Sequence, residues 1–363
     1  MTNKALSNLK IIDLSTVLAG PSVGSFFAEL GAEVIKVEHP KYKDVTRSWK
    51  LPSEDAETAV SAYFSSVNFK KQYRFLDFTL SKDRQRLFEI LKTADVVLMN
   101  FKSSSQEKLK ISDDILWKIN PTLIIGKISG YGQSSSRVAY DLILQADTGF
   151  MSMNGKPESG PVKMPVALID VMAAHQLKEG ILLALLAQSR QNEKCGQVIH
   201  VSLYDAAISA LANQASNYLM EQHIPQRQGS LHPNIAPYGE IFKTKDQQNI
   251  TFAIGSDLHF EKLVCYLGLS SLSQDKRFIH AQNRVKNRAE LEKLIQAKVE
   301  KIEAEVILKD MESAAVPCAK IKNLKEVFQS DLAKKMIREE QIEGKLTKRV
   351  SQIAFGINKN LTI

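Results

Sequence analysis

Alternating strand and helix signals predict an α/β protein: an open sheet of parallel strands with helices on both faces, followed by a smaller α/β domain. The evidence is a βαβ unit in the first forty residues, a repeat of the same alternation up to Gly132, and a second strand–helix block after Tyr238. Leu9–Leu14 (LKIIDL) is a short apolar run bounded by polar residues, as a buried strand requires. Ser15–Gly20 reads as a loop, Pro21 sits in the first turn of a helix where its missing N–H is harmless, and Gly31 closes that helix. AEVIKVEHP is the second strand, so the unit implies parallel pairing through a right-handed crossover. SKDRQRLFEILKTA then reads as an amphipathic helix and DVVLMNF as a strand. ISDDILWKIN reads as a short helix with Ser112 as its N-cap, and PTLIIGKISGYG as a strand ending in a glycine turn.

Beyond Tyr140 the texture changes. Turn signals lead to an apolar, strand-like run at Val166–Ile169, and Asp170 then opens a long helix. QVIHVSLYDAAISAL reads as a strand running into a helix, and NITFAI as a strand. Asn287–Met311 is strongly helical. The expected domains are a large one over 1–222, completed by 312–363, a Pro/Gln/Gly-rich linker at 223–237, and a small one over 238–311.

With 363 residues, 44% of them apolar and 24% charged, the chain can bury a sizeable core, which excludes a disordered or fibrous protein. Its most apolar stretch, Ile181–Ala187, is too short to cross a membrane. MTNKALSNLK carries no apolar h-region, so no secretory signal is expected. Cys195, Cys265 and Cys318 are odd in number, far apart and without metal-ligand spacing, so a reduced, cytoplasmic protein is expected. The net charge of +8 is spread among acids, even in the basic stretch Lys320–Arg349. A solvated face explains it better than a nucleic-acid site, and it also suits a small ligand with several phosphates.

The first βα turn fails the dinucleotide fingerprint, because Gly20 and Gly24 do not make G-x-G-x-x-G. Its helix start still offers free N–H groups to a phosphate or carboxylate. The seven histidines form no ligand pattern, so no metal is expected, and neither a G-x-S-x-G elbow nor a P-loop is present. Asp170 admits two readings. As an N-cap it would be structural, without a capping box because residue 173 is Ala. As a carboxylate kept ionised by the helix dipole it is a candidate covalent nucleophile.

The blocks IIDLSTVLAGPSVGSFFAELGAEVIKVEHP, SVNFKKQYRFLDF, ADVVLMNF, NPTLIIGKISGYGQ, AYDLILQADTGFMSMNG, GQVIHVSLYDAAISAL and IAPYGEIFKTKDQQNITFAI, taken in order, resemble the class III CoA-transferases, the CaiB/BaiF family. The resemblance implies a Rossmann-like large domain with a smaller α/β domain, and two chains interlocked as a homodimer. It implies transfer of CoA from an acyl-CoA donor to a carboxylic acid acceptor, with Asp170 as the catalytic aspartate and no tightly bound cofactor. It places the CoA site at Val17, Leu18, Ala19, His39, Leu76, Asp77, Phe78, Thr79, Asn100, Phe101, Lys108, Tyr140 and Asp141. Leu18 stands where formyl-CoA transferases carry glutamine, and His39 where they carry arginine. LHPNIAPYGE replaces the polyglycine loop that closes over oxalate in that branch, which points away from oxalate and formyl groups.

The alternatives are the α-methylacyl-CoA racemase branch and a non-catalytic CoA-binding homologue. The racemases use a Gly-His-Asp motif whose histidine moves the proton; here the tripeptide is Ala139-Tyr140-Asp141. A tyrosine with an ordinary pKa of ~10 is a poor base near neutrality, which favours transfer. His175, in an apolar part of the long helix, is read as a packed or solvent-facing residue.

Overall fold

A computed structural model describes residues 5–356. The chain divides into two compact units: one made of the residues up to Phe150, Lys163–His223 and those from Lys335 on, the other of Met151–Val162 and Ile224–Lys334. The first unit is built on six parallel strands, β1 (Lys10–Asp13), β2 (Glu33–Glu38), β3 (Lys71–Phe75), β4 (Val96–Met99), β5 (Ile124–Ser129) and β6 (Gln197–Ser202). Their order is β3-β2-β1-β4-β5-β6, so the winding reverses between β1 and β4. In such sheets ligands bind outside the carboxyl ends of the strands at the reversal. The α/β class and the Rossmann-like arrangement read from the sequence are both present.

Strand side chains alternate between two buried faces. Ile11, Val34, Val96, Leu98 and Ile124 pack under the helix Ala19–Glu29 and the long helix Leu168–Arg190. Ile12, Ile35, Val97, Met99 and Ile125 pack under Ser81–Leu91 and Asp113–Ile119. The central strands therefore read as continuous apolar runs. The long helix lies so close to β6 that a Cβ on Gly180 would stand 2.5 Å from Ile199 Cγ2, which makes Gly180 a packing requirement.

Several local expectations are corrected. The long helix begins at Leu168 with Ala167 as its N-cap, so Asp170 is the third helical residue and caps nothing. Val166–Ile169 holds no strand. Ser112 occupies an N-cap position but makes no capping hydrogen bond. The helical stretch near the small domain is two helices, Arg288–Val299 and Ala304–Ser313.

The second unit carries an antiparallel sheet of β7 (Tyr238–Lys243), β8 (Asn249–Ala253) and β9 (Cys318–Lys320) in that order. Its core includes Phe242, Phe252, Phe260, Leu263, Ile295, Ile307 and Met311. Residues 151–162 and 312–334 fall in this unit, whereas the sequence reading put both in the large domain; β9 ties the later segment to β8. A C-terminal hairpin, β10 (Ile337–Ile342) and β11 (Lys345–Val350), belongs to the first unit, where Ile342 packs with Val60 and Phe64. Among the described residues no helix is long and apolar enough to cross a membrane.

Candidate active site

The site grows from the turn after β1. Between Asp13 and the helix at Ala19, the chain passes through Val17 at φ +74°, a conformation that a β-branched residue adopts only under constraint. The constraint is supplied from several sides. Asn100, just past β4, bridges Thr16 with both ends of its amide, accepting from its N–H at 3.2 Å and donating to its carbonyl at 3.1 Å. Val17 N–H donates to the Asp44 carboxylate at 3.2 Å. Buried Lys36 donates to the Ser15 carbonyl and to Asp44 Oδ2 at 3.3 Å. Beneath them Asp13 accepts from Ser15 N–H at 3.0 Å and pairs with Lys71 at 2.8 Å. Burial alone would raise the Asp13 pKa, but Lys36 and then Lys71 pull it below the ordinary value. Burial pushes the Lys71 ammonium down to about 8, against the pull of Asp13.

The turn opens on a cleft of about 290 Å³ at the β1/β4 reversal. It is lined by Thr16–Ala19, Asn100–Ser103, Gln106, Lys127–Gly130, residues of the loop Gly132–Tyr140, Asp170, His200 and Leu203. At its start, the helix Ala19–Glu29 leaves the N–H groups of Ala19 and Gly20 without intrahelical acceptors, while Pro21 has none to offer. Cations stand around the opening. Lys102 donates to the Ser136 carbonyl at 2.8 Å, Lys127 pairs with Asp113 at 2.6 Å, and Arg137 lies 3.7 Å over the Tyr131 ring. Helix-start N–H groups and cations together suit an anionic ligand.

Asp170 enters the cleft from the first turn of the long helix. Among the described residues no hydrogen bond reaches its carboxyl group. Asp141 stands behind it, its Oδ2 accepting from Ile169 N–H at 2.7 Å and Asp170 N–H at 3.3 Å. The cap of this helix thus comes from a carboxylate on another helix, Asp141–Asp147. Burial, and then the charge of Asp141, push the Asp170 pKa up to about 7 from an ordinary 3.8. The expectation that the helix terminus keeps it firmly ionised is therefore corrected: desolvation and a like charge outweigh the dipole. Near neutrality this carboxyl group exchanges its proton readily and, once ionised, is poorly solvated, which raises its nucleophilicity.

Of the residues expected at the site, Val17, Leu18, Ala19, Asn100, Phe101, Tyr140 and Asp170 line one cleft. The others do not line it. His39 pairs with Asp77 at 3.5 Å, and Asp77 accepts from Thr79 N–H at 2.9 Å, making a separate small cluster. Leu76 and Phe78 are buried in the core, and Lys108 is exposed on the helix Ser103–Leu109. Asp141 acts from behind, through the helix start. His175 is exposed on the long helix.

Sequence reading missed Lys127, Ser129, Arg137, His200 and Tyr63. Ser129 ends β5 and His200 lies in β6, so the rule that ligands gather at strand carboxyl ends would have flagged both. Ser129 Oγ accepts from Gly132 N–H at 3.1 Å and shares a second hydrogen bond with His200 Nε2 at 2.8 Å. Burial, and then Lys127, lower the His200 pKa. Tyr63, on the short helix Ala62–Ser66, packs edge-on against Trp49 at 5.0 Å. Burial and then the Asp170 charge push its hydroxyl up to about 12, so it stays a proton donor beside the site.

Comparison with known proteins places this arrangement. Residues 6–359 match the model of CoA-transferase family III. A succinate–glutarate CoA-transferase of Agrobacterium fabrum is 36% identical over 329 residues, covering 89% of this chain and 81% of its own. A succinyl-CoA:mesaconate CoA-transferase of Haloarcula hispanica is 31% identical, covering 89% of this chain and 82% of its own. The crystal structure of a CaiB/BaiF family protein from Brucella suis superposes with a TM-score of 0.83 at 34% identity, covering 96% of this chain and 91% of that one.

Proposed function

The chain belongs to CoA-transferase family III and is a class III CoA-transferase, and from that premise we propose that it moves CoA between carboxylic acids through covalent intermediates on Asp170. The observation that carries this reading is a cleft-facing carboxyl group with no hydrogen bond from the described residues and a pKa raised to about 7. The ionised Asp170 attacks the thioester carbonyl of the donor, and the tetrahedral intermediate collapses to an acyl-aspartyl anhydride and CoA thiolate. The thiolate attacks the aspartyl carbonyl of that anhydride, releasing the donor acid and leaving an aspartyl-CoA thioester. The acceptor carboxylate attacks this thioester, giving a second anhydride and thiolate. Attack of the thiolate on the acceptor's acyl carbon forms the product thioester and regenerates Asp170. Every intermediate keeps an activated acyl group, so no net proton or external energy source enters the cycle.

In this reading the first unit binds CoA. Val17–Ala19, Asn100, Phe101 and Tyr140 line the reactive end, and His39, Leu76–Thr79 and Lys108 serve the nucleotide end. The relatives' names recommend succinyl-CoA as the first donor and a five-carbon dicarboxylate such as glutarate as the first acceptor. The reading extends to an interlocked homodimer, supported by Leu182, Leu183 and Leu186, which the long helix leaves 38%, 66% and 46% exposed. Large apolar groups clustered on one helix are usually covered by a partner. Light scattering that returns the mass of one chain would sink the dimer.

The test of the mechanism is intact mass after mixing with succinyl-CoA, followed by a hydroxylamine quench and peptide mapping. A CoA thioester or hydroxamate on the peptide holding Asp170 supports it. Turnover without any adduct on that peptide overturns it.

A further inference from the structure

The C-terminal hairpin turns in two residues, Glu343 at φ +46° and Gly344 at φ +81°. Both positive values are those of a type I′ turn, whose first position favours Asn, Asp or Gly. A glutamate there is a strained choice, and its carboxylate has a use. Oε1 lies 3.0 Å from Arg47 Nη2, off the N–H axis and so as an ion pair, and Oε2 lies 4.0 Å from Lys43 Nζ. Lys345, just past the turn, donates to the Val60 carbonyl at 2.8 Å and stands 3.6 Å from Glu54. The hairpin tip therefore grips the segment 43–60 at several points.

Arg47 is buried and held on its other sides. Its Nε donates to Glu38 at 2.9 Å, its Nη1 to the Ala59 carbonyl at 3.0 Å, and its guanidinium lies 3.9 Å over the Phe64 ring. It belongs to a single helical turn, Val45–Ser48, whose N-cap is Asp44. Asp44 accepts from Thr46 N–H at 3.0 Å within that turn, while the same carboxylate holds Val17 N–H. Continuous contacts thus run from the hairpin tip, through Arg47 and Asp44, to the strained residue at the mouth of the cleft.

We infer that Glu343 is a positioning residue for the ligand cleft, holding the Val17 turn through Arg47 and Asp44. The inference rests on the proposed role of that turn in binding CoA. It explains why the hairpin tip keeps a residue that its turn geometry disfavours.

Glu343→Asn tests it without threatening the fold, since Asn-Gly is a favoured pair for this turn. The variant is expected to melt no lower than the parent. Amide hydrogen exchange in the peptide spanning residues 14–20 is expected to quicken about fivefold or more. The dissociation constant for free CoA is expected to rise about 3–10-fold, with kcat within twofold. Unchanged exchange in that peptide overturns the inference, and so does a uniform rise across the first unit with a lower melting point. A parent that binds no CoA would sink the proposed function instead, and the exchange comparison would still decide for or against the brace.

Discussion

Asp13 and Asp170 are two acids serving one cleft, and their surroundings are opposite. Asp13, wholly buried, sits between Lys71 and Lys36 and accepts from Ser15, and these partners hold it ionised below its ordinary pKa. Asp170 meets burial and the like charge of Asp141, and rises to about 7. The difference separates two tasks. A carboxylate that supports a strained turn is neutralised by fixed cations, which makes it unreactive. The one proposed to bond to a substrate keeps its oxygens free, at a cost in stability.

The largest way to break the comparison is to remove the proposed nucleophile. Asp170→Ala is expected to lower transfer by at least ~10³-fold, about 4 kcal/mol in the barrier, while CoA affinity stays within about threefold. Steady-state rates beside calorimetric titration with CoA check both halves. Near-normal turnover by the folded variant would remove Asp170 from the chemistry.

Removing a partner from the other acid strikes stability instead. Lys71→Met leaves the Asp13 carboxylate buried without the ammonium now 2.8 Å away. Stranding one member of a buried pair costs about 3–5 kcal/mol. Thermal melting should fall by roughly 10 °C, at about 2–4 °C per kcal/mol for domains of this size. Adding Asp13→Asn to the same chain should recover part of the loss. A Lys71→Met protein as stable as the parent would mean that Lys36 alone neutralises the site.

Substituting Asp170 by its neutral isostere should have the opposite sign. The folded-state pKa of about 7 lies above the ordinary 3.8, so the folded protein binds this proton more tightly than the unfolded chain. Between those values rising pH drains stability, and above about 7 the full penalty is present. Asp170→Asn is therefore expected to stabilise the protein at pH 8 by up to about 4 kcal/mol, and by well under ~1 kcal/mol near pH 4. Melting curves at the two pH values decide it, and an equal gain at both would place the effect in packing.

What was legible in the sequence followed from local pattern. Strands β1, β2, β4, β5 and β6 are apolar runs between turn residues, and each was readable. β3 carries no strand signal, because KQYRF is polar and only Lys71 within it is buried. β9 is three residues long and takes its identity from pairing with β8. The start of the long helix misled for a physical reason. Its N–H groups are satisfied by Asp141, from a different helix, so no cap residue stands where the helix begins. The same distant carboxylate, with burial, sets the state of Asp170, and neither can be read from the residues flanking position 170. Asn100 was expected as a ligand contact; its amide also locks Thr16, which no spacing rule reveals.

The finest test of the contrast leaves both acids in place and changes the charge behind one. In the proposed mechanism attack requires the ionised form of Asp170, so kcat/KM should rise with pH and level off above about 7, falling close to tenfold per unit well below it. Asp141→Asn keeps an oxygen to accept from Ile169 N–H and removes the like charge. Coulomb repulsion from Asp141 is the second cause of the raised value, after burial, so the midpoint should move to lower pH but stay above 3.8. The plateau rate should change little, because the helix start keeps its acceptor. A midpoint that stays fixed would leave burial alone in control of Asp170. A collapsed plateau would mean that the Asp141 charge takes part in the reaction as well as in placing the helix.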